Sequence, residues 1–262
     1  MIDGADGFER RVVVASDAAA LTEAAAGQIR TGLAEAIAAR GAAWIALAGG
    51  RTPRAVYERL AADGAPAIDW RRVHVAFGDE RLVPPDHADS NYGMARAALF
   101  DRVLLPASQI HRIEGERGSA AEAADAYAAD LARAFGLAPD AWPVFDLVLL
   151  GMGPDGHTAS LFPGTAALAV DDRLAAAARA PAPPLYRVTL TYPVLNAARA
   201  VILLVTGADK AEAVVHAFDE AVPLAECPVR GVRPQQGSQT WHLDAAAAAG
   251  LSDGFPSAPE VP

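Results

Sequence analysis

The amino-acid sequence predicts an α/β fold, with a mostly parallel sheet carrying helices on its faces. Short aliphatic or β-branched runs alternate with alanine-rich helical stretches along most of the chain, which is the pattern of successive βαβ units. The run FDLVLLG (Phe145 to Gly151) is apolar almost throughout, as a strand covered on both sides must be. With 262 residues, the chain is long enough to bury roughly three quarters of its unfolded surface around one core.

RVVVAS (Arg11 to Ser16) reads as the first strand. Asp17 or Ser16 caps the helix that follows, and Gly41 ends it after Arg40, because a residue there must adopt a left-handed conformation that glycine takes freely. WIALAGG (Trp44 to Gly50) is a strand closing in a glycine turn, and Pro53, at a first helical position, starts a helix through about Leu60. VHVAF (Val73 to Phe77) is the third strand. The prolines and Asp/Asn residues of the next segment, GDERLVPPDHADSN, are expected to exclude regular structure. Helices follow at about Tyr92 to Phe100 and Ser119 to Phe135, then strands at Phe145 to Gly151, Arg187 to Thr191 and Ala200 to Thr206. A helix from Ala208 to about Phe218 and a strand at Thr240 to Asp244 complete the pattern. Neither an internal repeat nor a linker interrupts it, so a single domain over residues 9–250 is expected, with 251–262 a frayed C-terminal tail.

Composition narrows the function. The net charge is −10, with 22 basic against 32 acidic residues, so nucleic-acid and anionic-membrane partners have no long-range attraction to draw on. The most apolar long window, Val188 to Thr206, contains Asn196 and Arg199 and breaks at Pro193, which disqualifies it as a membrane span. A lone cysteine, Cys227, and an N-terminus without a cationic then apolar segment point to the cytoplasm. The expected partner is a small molecule, handled by a monomer or small homo-oligomer.

The stretch LLGMGPDGHTASLFPG (Leu149 to Gly164) contains G-x-G-x-x-G directly after a strand, the spacing of a dinucleotide clamp. The clamp needs its third glycine to open a long helix, but Pro163 and Gly164 cut any helix short. Pro154 and Asp155 occupy positions where a pyrophosphate would need bare backbone. A tight glycine turn at the carboxyl end of a strand is the better account, and no nicotinamide or other cofactor is expected. That turn presents His157, and imidazole is the side chain suited to general-base work near neutrality.

LAGGRTPRAVYERL (Leu47 to Leu60) is strand, glycine turn and helix start, a combination whose free N–H groups and macrodipole attract anions. Gly49, Gly50, Arg51 and Thr52 are the candidate phosphate residues, although the stretch also suits an ordinary strand-to-helix turn with a threonine cap. Of the 22 basic residues only Lys210 is lysine, and it stands just past a strand end, where a compact ammonium for a ligand and a plain surface position are both open. Asp79 and Arg81 follow the third strand at the same predicted sheet edge. Arg81 can fork onto a phosphate, and Asp79 can orient a base or a sugar hydroxyl. His87, His157 and Asp79 offer no closely spaced ligand pair, so no metal is expected. G-x-S-x-G is absent, and Cys227 has no histidine near it in sequence, which leaves water attack on an already reactive electrophile such as a lactone.

LAGGRTP, GDERLVPPDHADSNY, DLVLLGMGPDGHTASLFPG, RVTLTYPVLNAARAVILLVTGADKAEAV and Trp241 to Asp244, in this order across roughly Val12 to Ala249, resemble the 6-phosphogluconolactonase family. The resemblance implies a single-domain Rossmann-like α/β/α sandwich of the sugar-phosphate isomerase/deaminase type, without bound nucleotide. It implies hydrolysis of 6-phospho-D-glucono-1,5-lactone to 6-phospho-D-gluconate, the second step of the oxidative pentose phosphate pathway. It puts the catalytic histidine on His157, the Asp and Arg of G-D-E-R on Asp79 and Arg81, the lysine of T-G-x-x-K on Lys210, and the glycine turn on Gly49 to Thr52. Members commonly carry serine before that threonine, where this chain has Arg51. The alternatives are glucosamine-6-phosphate deaminase, which typically reads M-D-E-Y where this chain reads Gly78-Asp79-Glu80-Arg81, and a non-catalytic sugar-phosphate binding module that could dispense with His157.

Overall fold

The computed structural model describes residues 2–3, 8–62 and 68–251. Its elements in chain order are β1 (Ile2–Asp3), β2 (Glu9–Ala15), α1 (Ala18–Arg40), β3 (Ala43–Leu47), α2 (Arg51–Ala62), β4 (Val73–Phe77) and β5 (Asp79–Arg81). They continue with α3 (Asn91–Ala98), α4 (Ala120–Phe135), β6 (Leu147–Leu150), β7 (Ala175–Arg179), β8 (Tyr186–Leu190), α5 (Tyr192–Asn196), β9 (Ala200–Val205), α6 (Ala211–Phe218) and β10 (Ser238–Asp244). Apart from Leu251, the expected tail lies outside the described residues.

The main sheet runs β1-β2-β10-β9-β6-β3-β4. Every neighbouring pair is parallel except β1 with β2, and helices flank the sheet in an α/β sandwich, as expected. The reasons are local. The Asp17 carboxylate accepts from the N–H groups of Ala19 and Ala20 to start α1, and Gly41 at φ 80° stops it. Leu21, Ala25, Ile29 and Leu33 recur every fourth residue on α1 and are buried, so one stripe of the helix packs on the sheet. Ser119 and Glu122 form a complete capping box at the start of α4. All four residues of β6 are buried, in keeping with its central place.

Three expectations are corrected. The GDER segment is not irregular: Asp79–Arg81 forms β5, which pairs antiparallel with β8. The strand expected at Arg187 to Thr191 therefore belongs to a separate three-stranded sheet of order β5-β8-β7, not to the parallel sheet. Its other edge, β7, is four alanines and an arginine, a composition without strand propensity that is held by cross-strand pairing to β8. The helix expected from Ala208 begins with a 3₁₀ turn, Ala208–Lys210, and becomes α-helical at Ala211.

Four neighbouring parallel strands, β9, β6, β3 and β4, end side by side. The chain moves from β3 to β4 on one side and later inserts β6 on the other, so the order reverses around β3. A crevice opens outside the carboxyl ends of strands at such a reversal.

Candidate active site

That crevice is a cavity of about 600 Å³ lined by the loops after β3, β4, β6, β9 and β10. The residues proposed from the sequence for catalysis and phosphate binding line it together: Gly49, Gly50, Arg51 and Thr52 after β3, Asp79 and Arg81 after β4, His157 after β6, and Lys210 after β9. A second hollow of about 640 Å³ lies against α4 and the small sheet, walled largely by alanines and Tyr186. Its lining residues include no histidine or carboxylate, whereas the first cavity is lined by His157, Asp79, Asp209 and Asp244.

The β3 turn is held from several directions. The buried Tyr57 hydroxyl donates to the Ala48 carbonyl (2.8 Å) and accepts from the Ala48 N–H (2.9 Å), and burial pushes this phenol well above its ordinary range. Gly50 has φ 106°, a conformation that side chains disfavour. A Cβ on Gly49 would overlap the Asn91 carboxamide, so the turn and the start of α3 are packed against each other. Thr52 Oγ1 and Thr206 Oγ1 are 2.7 Å apart, which joins this turn to the loop after β9. There, Gly207 (φ 100°) donates its N–H to the Asp244 carboxylate at 3.0 Å, and Lys210 Nζ lies 2.9 Å from Asp209. Asp244, at the end of β10, thus braces the lysine loop, a role sequence reasoning missed.

Asp79 is buried (7% exposed). Its carboxylate accepts from Ser160 Oγ at 2.6 Å and Asn91 Nδ2 at 3.2 Å. The neighbouring Glu80 points into the start of α3, accepting from the N–H groups of Asn91 and Tyr92 and from Ser90 Oγ. Burial outweighs those hydrogen bonds and holds the Glu80 carboxyl above its ordinary value; this residue fixes the loop. Arg81 donates from Nη1 to the Asp89 carbonyl at 2.7 Å, while its buried Nε has no hydrogen-bond partner among the described residues.

The carboxylate against His157 is Asp155, not Asp79. His157 Nδ1 and Asp155 Oδ1 are 2.5 Å apart, and the imidazole leans on Phe162 with ring centroids at 4.4 Å. With Nδ1 committed to a carboxylate, the tautomer that leaves Nε2 as an acceptor is favoured, the state a general base needs. Burial works to raise the Asp155 carboxyl, but the hydrogen bond and charge of His157 outweigh it and hold it below the ordinary carboxylate range. The glycines of G-x-G-x-x-G have mechanical reasons to be present. A Cβ on Gly153 would overlap His157 Nδ1, and one on Gly156 (φ 75°) would meet Cys227 Sγ at 2.8 Å. Thr158 Oγ1 closes the turn on the Gly151 carbonyl (2.7 Å). Ala159 beside it holds φ 47°, a left-handed conformation costly for a residue with a Cβ and of the kind that collects at functional sites.

His87 stands outside the cavity, exposed and near Asp89. Among the described residues, no group of three or more His, Cys, Asp or Glu is placed to hold a metal ion, and no helix is long and apolar enough to cross a membrane.

A profile of glucosamine-6-phosphate isomerases/6-phosphogluconolactonase matches residues 16–241, and the chain belongs to that family. Within it, the chain is 45% identical over 245 residues to the 6-phosphogluconolactonase of Nostoc sp., spanning 94% of this chain and 100% of the relative. It is 42% identical over 235 residues to that of Homo sapiens, with 84% and 89% covered. Among solved structures, the 6-phosphogluconolactonase of Trypanosoma brucei superimposes with a TM-score of 0.83 at 31% identity, covering 94% of this chain and all of that one.

Proposed function

We propose that this cavity hydrolyses 6-phospho-D-glucono-1,5-lactone with His157 as the base that activates water. The chain is a lactone hydrolase of the oxidative pentose phosphate pathway by its relatives; the assignment of steps to residues is our reading. The single observation that carries it is the His157–Asp155 pair lining the same cavity as the glycine turn, Arg81 and Lys210.

In this reading the phosphate sits against the Gly49 to Thr52 turn, with Arg51, Arg81 and Lys210 supplying positive charge. His157 Nε2 takes a proton from water as the oxygen attacks the lactone carbonyl carbon, and Asp155 stabilises the imidazolium that forms. As the tetrahedral intermediate collapses, the bond from carbonyl carbon to ring oxygen breaks. The imidazolium returns its proton to that oxygen, and the acid product then ionises. Asp79, held by Ser160 and Asn91, keeps acceptor capacity for a sugar hydroxyl. No cofactor or metal enters the scheme. A single domain over residues 9–250 is supported by one continuous hydrophobic cluster running from Val12 to Ala247. The lone buried Cys227 and the acidic net charge suit a cytoplasmic, monomeric or small homo-oligomeric protein free of nucleic-acid and membrane partners.

The test is to generate the lactone from glucose 6-phosphate and follow acid release against the spontaneous rate. The expected result is acceleration by the wild type, with His157→Ala losing about 10²-fold or more in kcat. Equal turnover by His157→Ala would remove the histidine from its role. Ammonia release from glucosamine 6-phosphate would install the deaminase alternative, and phosphosugar binding without turnover would leave a binding module.

A further inference from the structure

Arg187 is an unexplained residue beside the site. It lies on β8 directly opposite Arg81 of β5, and residues directly opposite in an antiparallel pair project from the same face. Asp79, two residues before Arg81, shares that face, and both Asp79 and Arg81 line the catalytic cavity. Thr189, opposite Asp79, is on it as well, and its hydroxyl accepts from the Ser160 N–H. Arg187 is thus set beside Arg81 on the face of the small sheet that carries Asp79, with Ala178 of β7 on its other side.

It is only 8% exposed. Nε donates to the Pro184 carbonyl at 2.8 Å, and among the described residues neither Arg187 nor Arg81 forms a salt bridge. Like charges directly opposite each other destabilise a sheet. The acidic side chains nearby are otherwise engaged: Asp79 by Ser160 and Asn91, and Glu80 by the start of α3. Burial, and then the charge of Arg81, hold the Arg187 guanidinium below its ordinary range, outweighing Asp79, Glu80 and Asp89. Such a pair is incomplete without an anion, and a phosphate dianion has the charge and the oxygen geometry to complete it.

We propose that Arg187 is a positioning residue for the phosphate site: packed beside Arg81 without a salt-bridge partner among the described residues, it keeps the Arg81 guanidinium extended into the cavity and supplies a second charge that a bound phosphate dianion neutralises. This rests on the reading of the cavity as a sugar-phosphate site. It extends that reading to a residue that does not line the cavity.

Titration calorimetry with inorganic phosphate tests it independently of turnover. Arg187→Met is expected to weaken phosphate binding roughly tenfold, the scale of a lost charged partner. Arg187→Lys, which keeps the charge but not the planar fork, falls between it and the wild type. In lactone assays Arg187→Met raises KM with kcat within about twofold, since His157 and Asp155 are untouched. Unchanged phosphate affinity in either variant overturns the proposal, as does a fall in kcat with KM constant, and so does a wild type that binds no phosphate. If Arg187→Met does not fold, the lysine variant decides alone: affinity equal to wild type refutes, and weaker affinity with wild-type melting behaviour supports. A wild type that binds phosphate through Arg187 yet hydrolyses no lactone would sink the lactonase reading and leave this inference standing.

Discussion

Replacing Asp155 with asparagine is the most informative single change. Oδ1 of Asp155 lies 2.5 Å from His157 Nδ1, and the substitution keeps the shape while removing the charge that stabilises the imidazolium. A hydrogen bond to a charged group contributes about 1.5–3 kcal/mol net. The side chains here are 28% and 38% exposed, so solvent screening places the value in the lower part of that range, at about 1.5–2 kcal/mol. At about 1.4 kcal/mol per decade, kcat should fall roughly ten- to thirtyfold. KM should hold within about twofold, because the phosphate contacts lie on other loops. Initial rates on freshly generated lactone, corrected for spontaneous hydrolysis, measure both. A kcat within about twofold of wild type would show that the carboxylate does not assist the histidine, and a rise in KM alone would move Asp155 to substrate binding.

Other consequences are as specific. Gly49→Ala drives a methyl into the Asn91 carboxamide and should raise KM roughly tenfold or more. Adding Asn91→Ala should recover part of that loss, a non-additivity that a double-mutant cycle detects; strictly additive effects would dissolve the link between turn and helix. His242 is 2% exposed, its Nδ1 has no hydrogen-bond partner among the described residues, and burial, followed by the charge of Arg11, pushes its pKa down to about 4. The unfolded chain protonates this histidine first, so its contribution is intact above about pH 6.5 and is lost as pH falls toward 4. Denaturant melts should lose about 2 kcal/mol from this group between about pH 7.5 and pH 5, at about 1.4 kcal/mol per pH unit below the unfolded pKa. His242→Gln should flatten the dependence, and parallel slopes in the two proteins would contradict the assignment.

The residues that line the candidate site were largely legible in the sequence because ligands in parallel α/β sheets gather at strand carboxyl ends. Turn residues there announce themselves by type: Gly49 and Gly50, the G-x-G-x-x-G around His157, and the lysine after β9. What escaped depends on side-chain direction or on distant pairing. Asp155 stands two residues before His157, but only the fold of the turn shows its carboxylate facing Nδ1, and sequence reading had offered Asp79 for that place. Ser160 and Asn91 meet Asp79 across 81 and 12 positions, and no local pattern marks such contacts. β5 was hidden because three polar residues become a strand only against β8, more than a hundred positions later. β7 was hidden because alanine is a helix former held extended by its neighbour.

A crystal structure with 6-phosphogluconate bound would test the central claim most directly. The product's phosphate should lie against the Thr52 turn within reach of Lys210 and Arg81, with its carboxylate about 3 Å from His157 Nε2. A phosphate seated at His157, or a carboxylate distant from the imidazole with the phosphate correctly held, would contradict the proposed division of labour between the loops.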